Sequence, residues 1–478
     1  MTSLTRRSFL KGSVAAAAGL SVRSWAQVRG ANDDIRIGVV GFGGRGKSHI
    51  GEWTSMKGVR LVALCDVDKD ILERECKRHA DKGNAVEAYT DVRKLLENKE
   101  IDAISTATPN HWHSLVAVWG CQAGKDVYVE KPVSHNVWEG RKVVEAARHY
   151  NRIVQTGTQS RSSGALRAAF AWLREGNLGK IKVSRGLCYK PRASIGKVDG
   201  PQPIPPQIDY DLWCGPAPKL PLMRKRLHYD WHWVWPTGNG DLGNQGIHEM
   251  DKARWALGKD SLSPRVFSIG GRLGYVDDGE TANTQFVVHD YGDSQLIFEV
   301  RGLPSSKDAG KGREMMDKYR GQGVGQVIEC EGGYLAGTVA HDNDGKEIKK
   351  FSGGGGNHFA NFMSAVRSRK HTDLNADILE GHLSSALCHT GNISYRLGRT
   401  MDPDEITASI KAESAAAETL DRMKEHLAAN GVDLKKTQLT IGPVLKMDPK
   451  TERFIGNDKA NALLTRDYRK PFVVPEKV

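Results

Sequence analysis

The sequence lacks several features that would indicate other classes of protein. No apolar run approaches the ~20 residues needed to cross a bilayer, so no membrane span is predicted. The seven cysteines form no C-x-x-C pair, which argues against a disulfide framework or a zinc knuckle. There is no internal repeat. Four of the net +12 charges lie in the first 26 residues, and the remaining +8 are spread along the chain without a basic block. That pattern favours solubility over nucleic-acid binding.

The first 26 residues carry four basic residues and no acidic one. The string "TRRSFLKG" begins at Thr5, residues 14–22 are apolar, and residues 24–26 (SWA) place small residues where a signal peptidase reads them. This arrangement resembles the twin-arginine export signal. The resemblance implies cleavage after Ala26, recognition by the twin-arginine export machinery and a periplasmic location. Because that route carries folded proteins, it also implies that a cofactor is acquired in the cytoplasm.

A glycine-rich loop lies between two predicted strands, residues 35–40 and 59–66, and a helix is expected from about residue 47. Gly41, Gly43 and Gly46 match G-x-G-x-x-G. A strand, these glycines, a helix and a second strand within about 30 residues are typical of a dinucleotide-binding unit. We predict that the whole loop contacts the cofactor, through Gly41, Phe42, Gly43, Gly44, Arg45 and Gly46.

The second strand of this unit ends on an acidic residue, Asp66. Its carboxylate is placed to accept hydrogen bonds from the adenosine ribose hydroxyls, and its charge would repel a 2′-phosphate. We therefore predict NAD as the cofactor. Arg45, inside the loop, would act in the opposite direction, so NADP remains the alternative.

Helical and strand patterns continue to alternate after Asp66, in residues 73–83, 101–109, 113–124 and 126–130. Alternation of this kind predicts a parallel, doubly wound sheet. Ligands bind outside the carboxyl ends of such strands. Glu130 and Lys131 follow the last of these strands, so we expect them beside the nicotinamide, with Glu130 holding Lys131 in place.

Four motifs resemble the Gfo/Idh/MocA family and occur in its order: "GVVGFGGRG", "TPNHWHS", "EKPVS" and "GNQGIHEMD". The strings "DYDLWCGPAP" (209–218) and "LLTRDYRKPFVVPE" (463–476) are similar to an exported subgroup. The resemblance spans about residues 35–399. It implies a Rossmann domain followed by an α/β domain with a large, open, mainly antiparallel sheet, whose exposed face forms homodimers or tetramers. It also implies NAD(P)-dependent oxidation of CH–OH groups.

The resemblance assigns roles by position. Lys131 would contact substrate and cofactor, and His248 would be the acid–base residue. The cofactor would be lined by Thr108, Pro109, Asn110 and His113. Many relatives have Asp four residues before this histidine, but here the residue is Asn244. Asn244 can bond the substrate but cannot share a proton, so His248 must act with Lys131 or another acid. Lys131 is itself the alternative proton acceptor if burial lowers its pKa.

The stretch "RLHYDWHWVWPTGNG" (226–240) concentrates aromatic and histidine residues. Aromatic rings stack on the C–H faces of sugars, so we predict a substrate wall that includes Tyr229 and Trp231. A buried core strand is the equal alternative. His228 and His232 are four residues apart, but the Trp/Pro/Gly context is not expected to be helical, so no metal site is predicted. Gln159 and Arg161 are expected to line the substrate side.

These observations predict four segments: a signal peptide (1–26), an NAD-binding Rossmann domain (33–156), a substrate and oligomerisation domain (157–400) and a C-terminal helical extension and tail (401–478). They predict oxidation of a secondary hydroxyl of a sugar, glycoside or cyclitol, with tightly bound NAD because free NAD is scarce outside the cytoplasm. Two alternatives stay open. One is NAD-assisted glycoside hydrolysis or epimerisation through a transient keto-sugar. The other is a non-catalytic sugar-binding protein on a dehydrogenase fold.

Overall fold

The computed structural model describes residues 34–310 and 312–478. The export signal predicted in residues 1–26 lies outside the described residues. In the described part of the chain, no helix is both long and apolar enough to cross a membrane.

The first domain is built on six parallel strands in the order β3-β2-β1-β4-β5-β6. The strands are β1 (Ile35–Val40), β2 (Val59–Cys65), β3 (Glu87–Tyr89), β4 (Ala103–Thr106), β5 (Asp126–Val129) and β6 (Val154–Thr156). The helices are α1 (Gly46–Ser55), α2 (Lys69–Ala80), α3 (Val92–Glu97), α4 (Asn110–Gln122) and α5 (Val137–His149). β1 pairs in parallel with both β2 and β4, so the strand order reverses there and a crevice opens at the carboxyl ends. The predicted doubly wound sheet is confirmed.

The second domain contains a 12-stranded sheet. Its strands are β7 (Ile181–Tyr189), β8 (Arg265–Gly271), β9 (Thr284–Asp290), β10 (Gln295–Arg301), β11 (Val324–Cys330), β12 (Gly333–Ala336), β13 (Val339–His341), β14 (Glu347–Lys350), β15 (Arg399–Met401), β16 (Leu439–Ile441), β17 (Leu445–Asp448) and β18 (Arg453–Phe454). β7 and β10 pair in parallel, whereas β9 pairs antiparallel with both β8 and β10. The large, mainly antiparallel sheet is therefore confirmed.

Ten helices in the described part of the chain belong to this second half. They are α6 (Gly164–Arg174), α7 (Tyr210–Cys214), α8 (Leu227–Asp230), α9 (Gly240–Gly243), α10 (Gly246–Leu257), α11 (His358–Ser368), α12 (Ile378–Arg396), α13 (Pro403–Ile410), α14 (Ser414–Ala429) and α15 (Asp458–Ala462). α10 and α12 cover one face of β8–β10 through residues such as Met250 and Leu387. α13 and α14 cover the other face through Ile406 and Leu420. Over these three strands the sheet is therefore covered on both faces by its own chain.

Residues after position 400 belong to both domains. β16 and β17 pair with β8 and so extend the large sheet. The last residues return to the first domain, where Phe472 and Val474 join a hydrophobic core with residues of α3 and α4. Arg466 anchors this tail by donating to Glu139 at 3.2 Å. Residues 401–478, predicted as a helical extension and tail, thus contain three helices, the short strands β16–β18 and the returning tail.

Candidate active site

A cavity of about 510 Å³ opens between the two domains at the carboxyl ends of β1, β2, β4 and β5. Pockets for small molecules and cofactors commonly measure roughly 300–1,000 Å³. The lining from the first domain includes Gly41, Gly43, Gly44, Arg45, Asp66, Thr108, Pro109, Asn110, His113, Glu130 and Lys131. The lining from the second domain comprises Leu212, Trp213, His228, Tyr229, Trp231, His232 and Asn244.

The glycine loop is compact because two of its glycines approach other backbone closely. Gly41 has a φ of +75°, and a Cβ there would lie 2.9 Å from the backbone N and Cα of Thr108. A Cβ at Gly46, the first residue of α1, would lie 2.1 Å from the carbonyl oxygen of Gly41. A Cβ at Gly44 would meet nothing within 4 Å among the described residues. The backbone next to the N-terminus of α1 is therefore uncovered at Gly44, so its N–H groups can contact the pyrophosphate of a dinucleotide.

Phe42 and Asp66 connect this loop to the end of β2. The Phe42 side chain is buried in the core and is not part of the cavity lining, which corrects its assignment as a cofactor contact. Its backbone N–H donates to Asp66 Oδ2 at 2.9 Å, and the N–H of Asp68 donates to Asp66 Oδ1 at 3.1 Å. Burial raises the pKa of Asp66. Arg45 pairs with Glu130, at 3.1 Å, and not with Asp66. The Asp66 carboxylate can therefore still face an adenosine ribose.

Glu130 joins four segments of the chain. Its Oε1 accepts hydrogen bonds from Arg45 at 3.1 Å, His49 at 3.0 Å and Gln159 at 3.3 Å. Its Oε2 accepts the backbone N–H of Lys131 at 3.3 Å. Burial raises the pKa of Glu130, but His49, Lys131 and Arg45 together hold it below its usual value. Glu130 therefore holds Lys131 in place through the backbone N–H of Lys131 and not through its ammonium.

Lys131 reaches across the cavity to the second domain. Its Nζ donates to the carbonyl oxygen of Asn244 at 3.0 Å, and burial lowers its pKa. His248 lies four residues further on, in the first turns of α10. Burial and the positive charge of Lys131 lower the pKa of His248 to about 3. Lys131 and Asn244 both line the cavity, whereas His248 is close enough to feel the charge but is not a lining residue.

The loop after β4 lies where the cofactor side was predicted, but one of its residues acts differently. Thr108, Pro109, Asn110 and His113 all line the cavity. The two ring nitrogens of His113 lie 2.7 Å from the Thr108 carbonyl oxygen and 2.6 Å from that of Pro132. His113 therefore ties the loops after β4 and β5 together instead of offering a nitrogen to a ligand.

Gln159 and Arg161 do not line the cavity. The side-chain amide of Gln159 donates to the Tyr128 hydroxyl at 3.1 Å, as well as to Glu130. Arg161 is 6% exposed, and its guanidinium contacts both carboxylate oxygens of Asp251 at 2.8–3.0 Å. These placements correct the prediction that the two residues face the substrate, because both side chains are used to hold the fold.

The aromatic stretch forms helical turns. α8 is followed directly by a 3₁₀ helix, Trp231–Trp233, so the core-strand alternative and the expectation of a non-helical segment are both wrong. Tyr229 and Trp231 line the cavity, with His228 and His232 beside them. Within residues 34–310 and 312–478, no group of three metal-ligating side chains lies together.

Residues 204–232, which we call the clamp segment, close over the first domain. Its contacts include a backbone bridge between Ile208 and Asp68 and a hydrogen bond of 2.9 Å from His228 Nε2 to Asp68 Oδ2. Trp112 Nε1 donates to the carbonyl oxygens of Leu212 and Trp213, both at 3.1 Å. Sequence patterns did not predict this contact surface, because no spacing relates Asp68 to a histidine 160 residues later.

Comparisons with known proteins agree with this architecture. Residues 35–158 match the GFO_IDH_MocA family model, described as "Oxidoreductase family, NAD-binding Rossmann fold". Residues 177–299 match its companion, "Oxidoreductase family, C-terminal alpha/beta domain". The two matches together cover more than half of the chain.

Curated relatives resemble part of the chain. A "Glycosyl hydrolase family 109 protein" of Shewanella baltica (strain OS185) is 32% identical over 173 residues, which is 31% of this chain and 38% of the relative. A protein of the same name from Saccharopolyspora erythraea is 28% identical over 207 residues, or 38% of this chain and 45% of the relative. The chain thus spans about two fifths of the length of the curated relatives it matches.

Solved structures share the fold. The WlbA dehydrogenase from Bordetella pertussis, in complex with NADH and UDP-GlcNAcA, is 20% identical with a TM-score of 0.54, covering 74% of this chain and 94% of that one. GenD2 from gentamicin A biosynthesis, in complex with NAD, is 17% identical with a TM-score of 0.53, covering 75% and 93%. At these identities the likeness establishes the fold alone. With both domain models matched in order, the chain belongs to the Gfo/Idh/MocA family of oxidoreductases, whose first domain is an NAD-binding Rossmann fold.

Proposed function

We propose that this protein is an NAD-dependent oxidoreductase that acts on a secondary hydroxyl of a sugar, glycoside or cyclitol. The observation that carries the proposal is the position of Lys131. Its ammonium lies in the cavity that the glycine loop also lines, and it is held 3.0 Å from the Asn244 carbonyl oxygen. A fixed cation at the carboxyl end of a central strand can contact the oxygen of an alcohol whose carbon faces the nicotinamide.

NAD, when bound, would supply the hydride acceptor. The residues of the chain supply substrate binding, charge stabilisation and proton transfer. Lys131 hydrogen-bonds the reacting oxygen and stabilises the negative charge that develops there. The rings of Tyr229 and Trp231 pack on the apolar face of the sugar. The hydroxyl proton passes either to Lys131, in its neutral form, or to the neighbouring His248.

We also propose that NAD stays bound and that the enzyme works in the periplasm. Free NAD is scarce there, so the redox cycle must close on one protein-bound dinucleotide. The clamp segment supports retention because it joins the second domain to the rim of the cavity through Asp68 and Trp112. Residues 1–26 support export by the twin-arginine machinery. The expectation of a homodimer or tetramer is part of the same proposal.

The test is to express the full chain and recover the protein from the periplasmic fraction. We expect the mature chain to begin at Gln27 and to release about one nicotinamide dinucleotide per chain on denaturation, identified by mass spectrometry. A panel of sugars, glycosides and cyclitols should then reduce the bound cofactor, measured by absorbance. A variant with Arg6→Lys and Arg7→Lys should stay in the cytoplasm. Protein that is empty of cofactor contradicts retention, and a panel with no reducing member favours the non-catalytic alternative.

A second candidate function is redox-neutral glycoside cleavage or epimerisation through a transient keto-sugar. The names of the curated relatives, glycosyl hydrolase family 109 proteins, favour it. Release of the aryl group from aryl-glycosides without accumulation of reduced cofactor would distinguish this activity from simple dehydrogenation.

Replacing Glu130 with glutamine is expected to lower the rate constant of sugar oxidation about tenfold, which corresponds to about 1.4 kcal/mol. Glutamine keeps the side-chain volume but removes the charge that Arg45 and His49 contact at 3.1 and 3.0 Å. The loop that carries Lys131 then loses its fixed position. Glu52→Gln, on the same helix as His49, is the control. An unchanged rate of single-turnover reduction of the bound nicotinamide in the Glu130 variant would contradict a positioning role.

Replacing Asp66 with asparagine is expected to reduce the preference for NAD over NADP about tenfold. Asparagine keeps an oxygen for the Phe42 N–H but removes the charge that repels a 2′-phosphate. Fluorescence titration of NADH and NADPH into cofactor-free protein measures the two dissociation constants. The Asp70→Asn variant, exposed in the first turn of α2, serves as a control for charge alone. An unchanged ratio in the Asp66 variant would mean that another residue selects the cofactor.

A further inference from the structure

His232 lies on the cavity wall and has no role in the mechanism above. Its ring stacks on Trp231, with centroids 3.6 Å apart and planes inclined by 21°. The ring of Tyr229 lies 4.9 Å away on the same turn. The side chain is 9% exposed and lines the cavity. Aromatic neighbours therefore hold this imidazole in one orientation.

The hydrogen bond of the ring fixes which nitrogen carries the hydrogen. Nδ1 of His232 lies 2.6 Å from the Tyr229 carbonyl oxygen. A carbonyl only accepts, so Nδ1 is the donor and Nε2 of the neutral ring holds the free lone pair. Nε2 has no hydrogen-bond partner in the part of the chain that the structure describes. A base with a defined tautomer thus faces the ligand space.

The turn that carries His232 is tightly built. The Thr237 hydroxyl donates to the Trp231 carbonyl oxygen at 2.9 Å, and Trp231 Nε1 donates to the carbonyl oxygen of His228 at 3.0 Å. A Cβ at Gly238 would lie 2.2 Å from the carbonyl oxygen of His232, so the chain packs back on the turn at a position that only glycine allows. These contacts pre-position the imidazole for chemistry.

Lys131 and His232 line the same cavity, one as a hydrogen-bond donor and the other as an acceptor. Burial and the charge of Lys131 lower the pKa of His232 to about 3, so its imidazole is neutral at neutral pH. Lys131 offers a positive donor, and His232 offers a lone pair. Oxidation of one hydroxyl needs a single proton acceptor, and Lys131 with His248 already meets that need. His232 is therefore available for a second proton transfer in the same cavity.

We propose that His232 is a second acid–base residue, which removes a proton from the carbon next to the ketone of an oxidised sugar. This inference rests on the proposed function, because only the oxidised sugar has an acidic C–H. The C–H bond breaks, its electron pair forms the C=C bond of an enolate, and the carbonyl π pair moves to the oxygen. Lys131 hydrogen-bonds that oxygen, Nε2 takes the proton, and the imidazolium returns a proton to the same carbon. The negative charge on the enolate stabilises the imidazolium and offsets its low proton affinity.

Proton exchange on a supplied ketone tests this step without any net oxidation. The full-length protein is mixed in D₂O with a set of methyl keto-glucosides, each with a ketone at one secondary position. Proton NMR follows the loss of the signal next to the ketone. We expect the wild type to accelerate exchange of at least one ketone, and His232→Asn to exchange about 100-fold more slowly. Asparagine keeps a donor for the Tyr229 carbonyl but removes Nε2.

The matched control is His341→Gln. His341 also stacks on a tyrosine, Tyr334, at 4.8 Å, and its Nδ1 lies 3.1 Å from the Gly345 carbonyl oxygen, but it lies on β13 outside the cavity lining. The His341→Gln variant should catalyse proton exchange at the wild-type rate. His232→Gln is the second variant if His232→Asn does not fold. Wild-type exchange no faster than buffer for every ketone, or full exchange by a folded His232 variant, overturns the proposal. If no sugar reduces the bound cofactor, the proposed function is overturned. The exchange experiment still tests His232, because it starts from a supplied ketone.

Discussion

Replacing Lys131 with methionine is expected to reduce the rate constant of sugar oxidation about 1,000-fold without loss of bound cofactor. Removing a fixed donor at a developing oxyanion costs about 10²–10³ in kcat, and removing an acid–base group costs about 10²–10⁴. Methionine matches the length of the lysine stem but cannot donate to the substrate oxygen or to Asn244. Single-turnover reduction of the bound nicotinamide, after mixing with the substrate sugar, measures the effect.

Lys125→Met is the matched control for this experiment. Lys125 lies just before β5, so it is at the opposite end of the strand that Lys131 follows. It is 3% exposed, and its Nζ donates to the carbonyl oxygens of Asn98 and Ile101, both at 2.7 Å. Its replacement should lower the melting temperature but leave hydride transfer unchanged. Equal loss of rate in both variants would mean that the loss reflects damage to β5 rather than to the chemistry.

The pH dependence of the same reaction shows which protonation state of Lys131 acts. Burial lowers its pKa, and Glu130 only partly offsets this, so the inflection should lie below the ordinary value of ~10.4. If the ammonium donates a hydrogen bond, kcat falls as the pH rises through this pKa, which is the result we expect. If the neutral amine accepts the hydroxyl proton, kcat rises through the same pKa. Lys131→Met should lack the inflection in either case.

Local constraints on the backbone explain why the cofactor side of the site was predictable. Gly41 needs a positive φ, and Gly46 has no room for a side chain, so both leave a pattern that can be recognised within a few residues. Asp66 and Lys131 follow buried strands of one parallel sheet, and that topology places them at the same edge. Apolar residues at helical spacing in residues 357–370 and 376–399 likewise predict helices, and the structure has α11 and α12 there.

Pairing between distant segments explains what was not predictable. Arg161 and Lys131 are both cations near the domain boundary. Arg161 is buried because it pairs with Asp251, which lies 90 residues later in the sequence. β16 has three residues, too few to show an alternating pattern beside the strong helical pattern of α14. The turns of α8 and the following 3₁₀ helix are equally short, so the aromatic segment could not be recognised as helical.

Replacing Arg161 with methionine is expected to lower the free energy of unfolding by about 3–5 kcal/mol, measured by chemical denaturation. Asp251 is fully buried, and Arg161 contacts both of its oxygens at 2.8–3.0 Å, so the variant leaves a buried carboxylate without its main partner. Burial raises the pKa of Asp251, but Arg161 lowers it below the usual value. The contribution of the pair is therefore present above pH ~3.9 and lost as the pH falls further.

Two comparisons separate this structural role from the substrate contact predicted from sequence. Arg161→Met combined with Asp251→Leu should recover most of the lost stability, because an apolar pair needs no charge compensation. Lys77→Met breaks an exposed ion pair with Asp81, at 3.0 Å, and should cost less than about 1 kcal/mol. Arg161 is absent from the cavity lining, so KM for the sugar should not change in variant protein that folds. A raised KM for the sugar with unchanged stability in Arg161→Met would instead mean that the guanidinium contacts the substrate. In that case the second domain would have to close differently around the cavity.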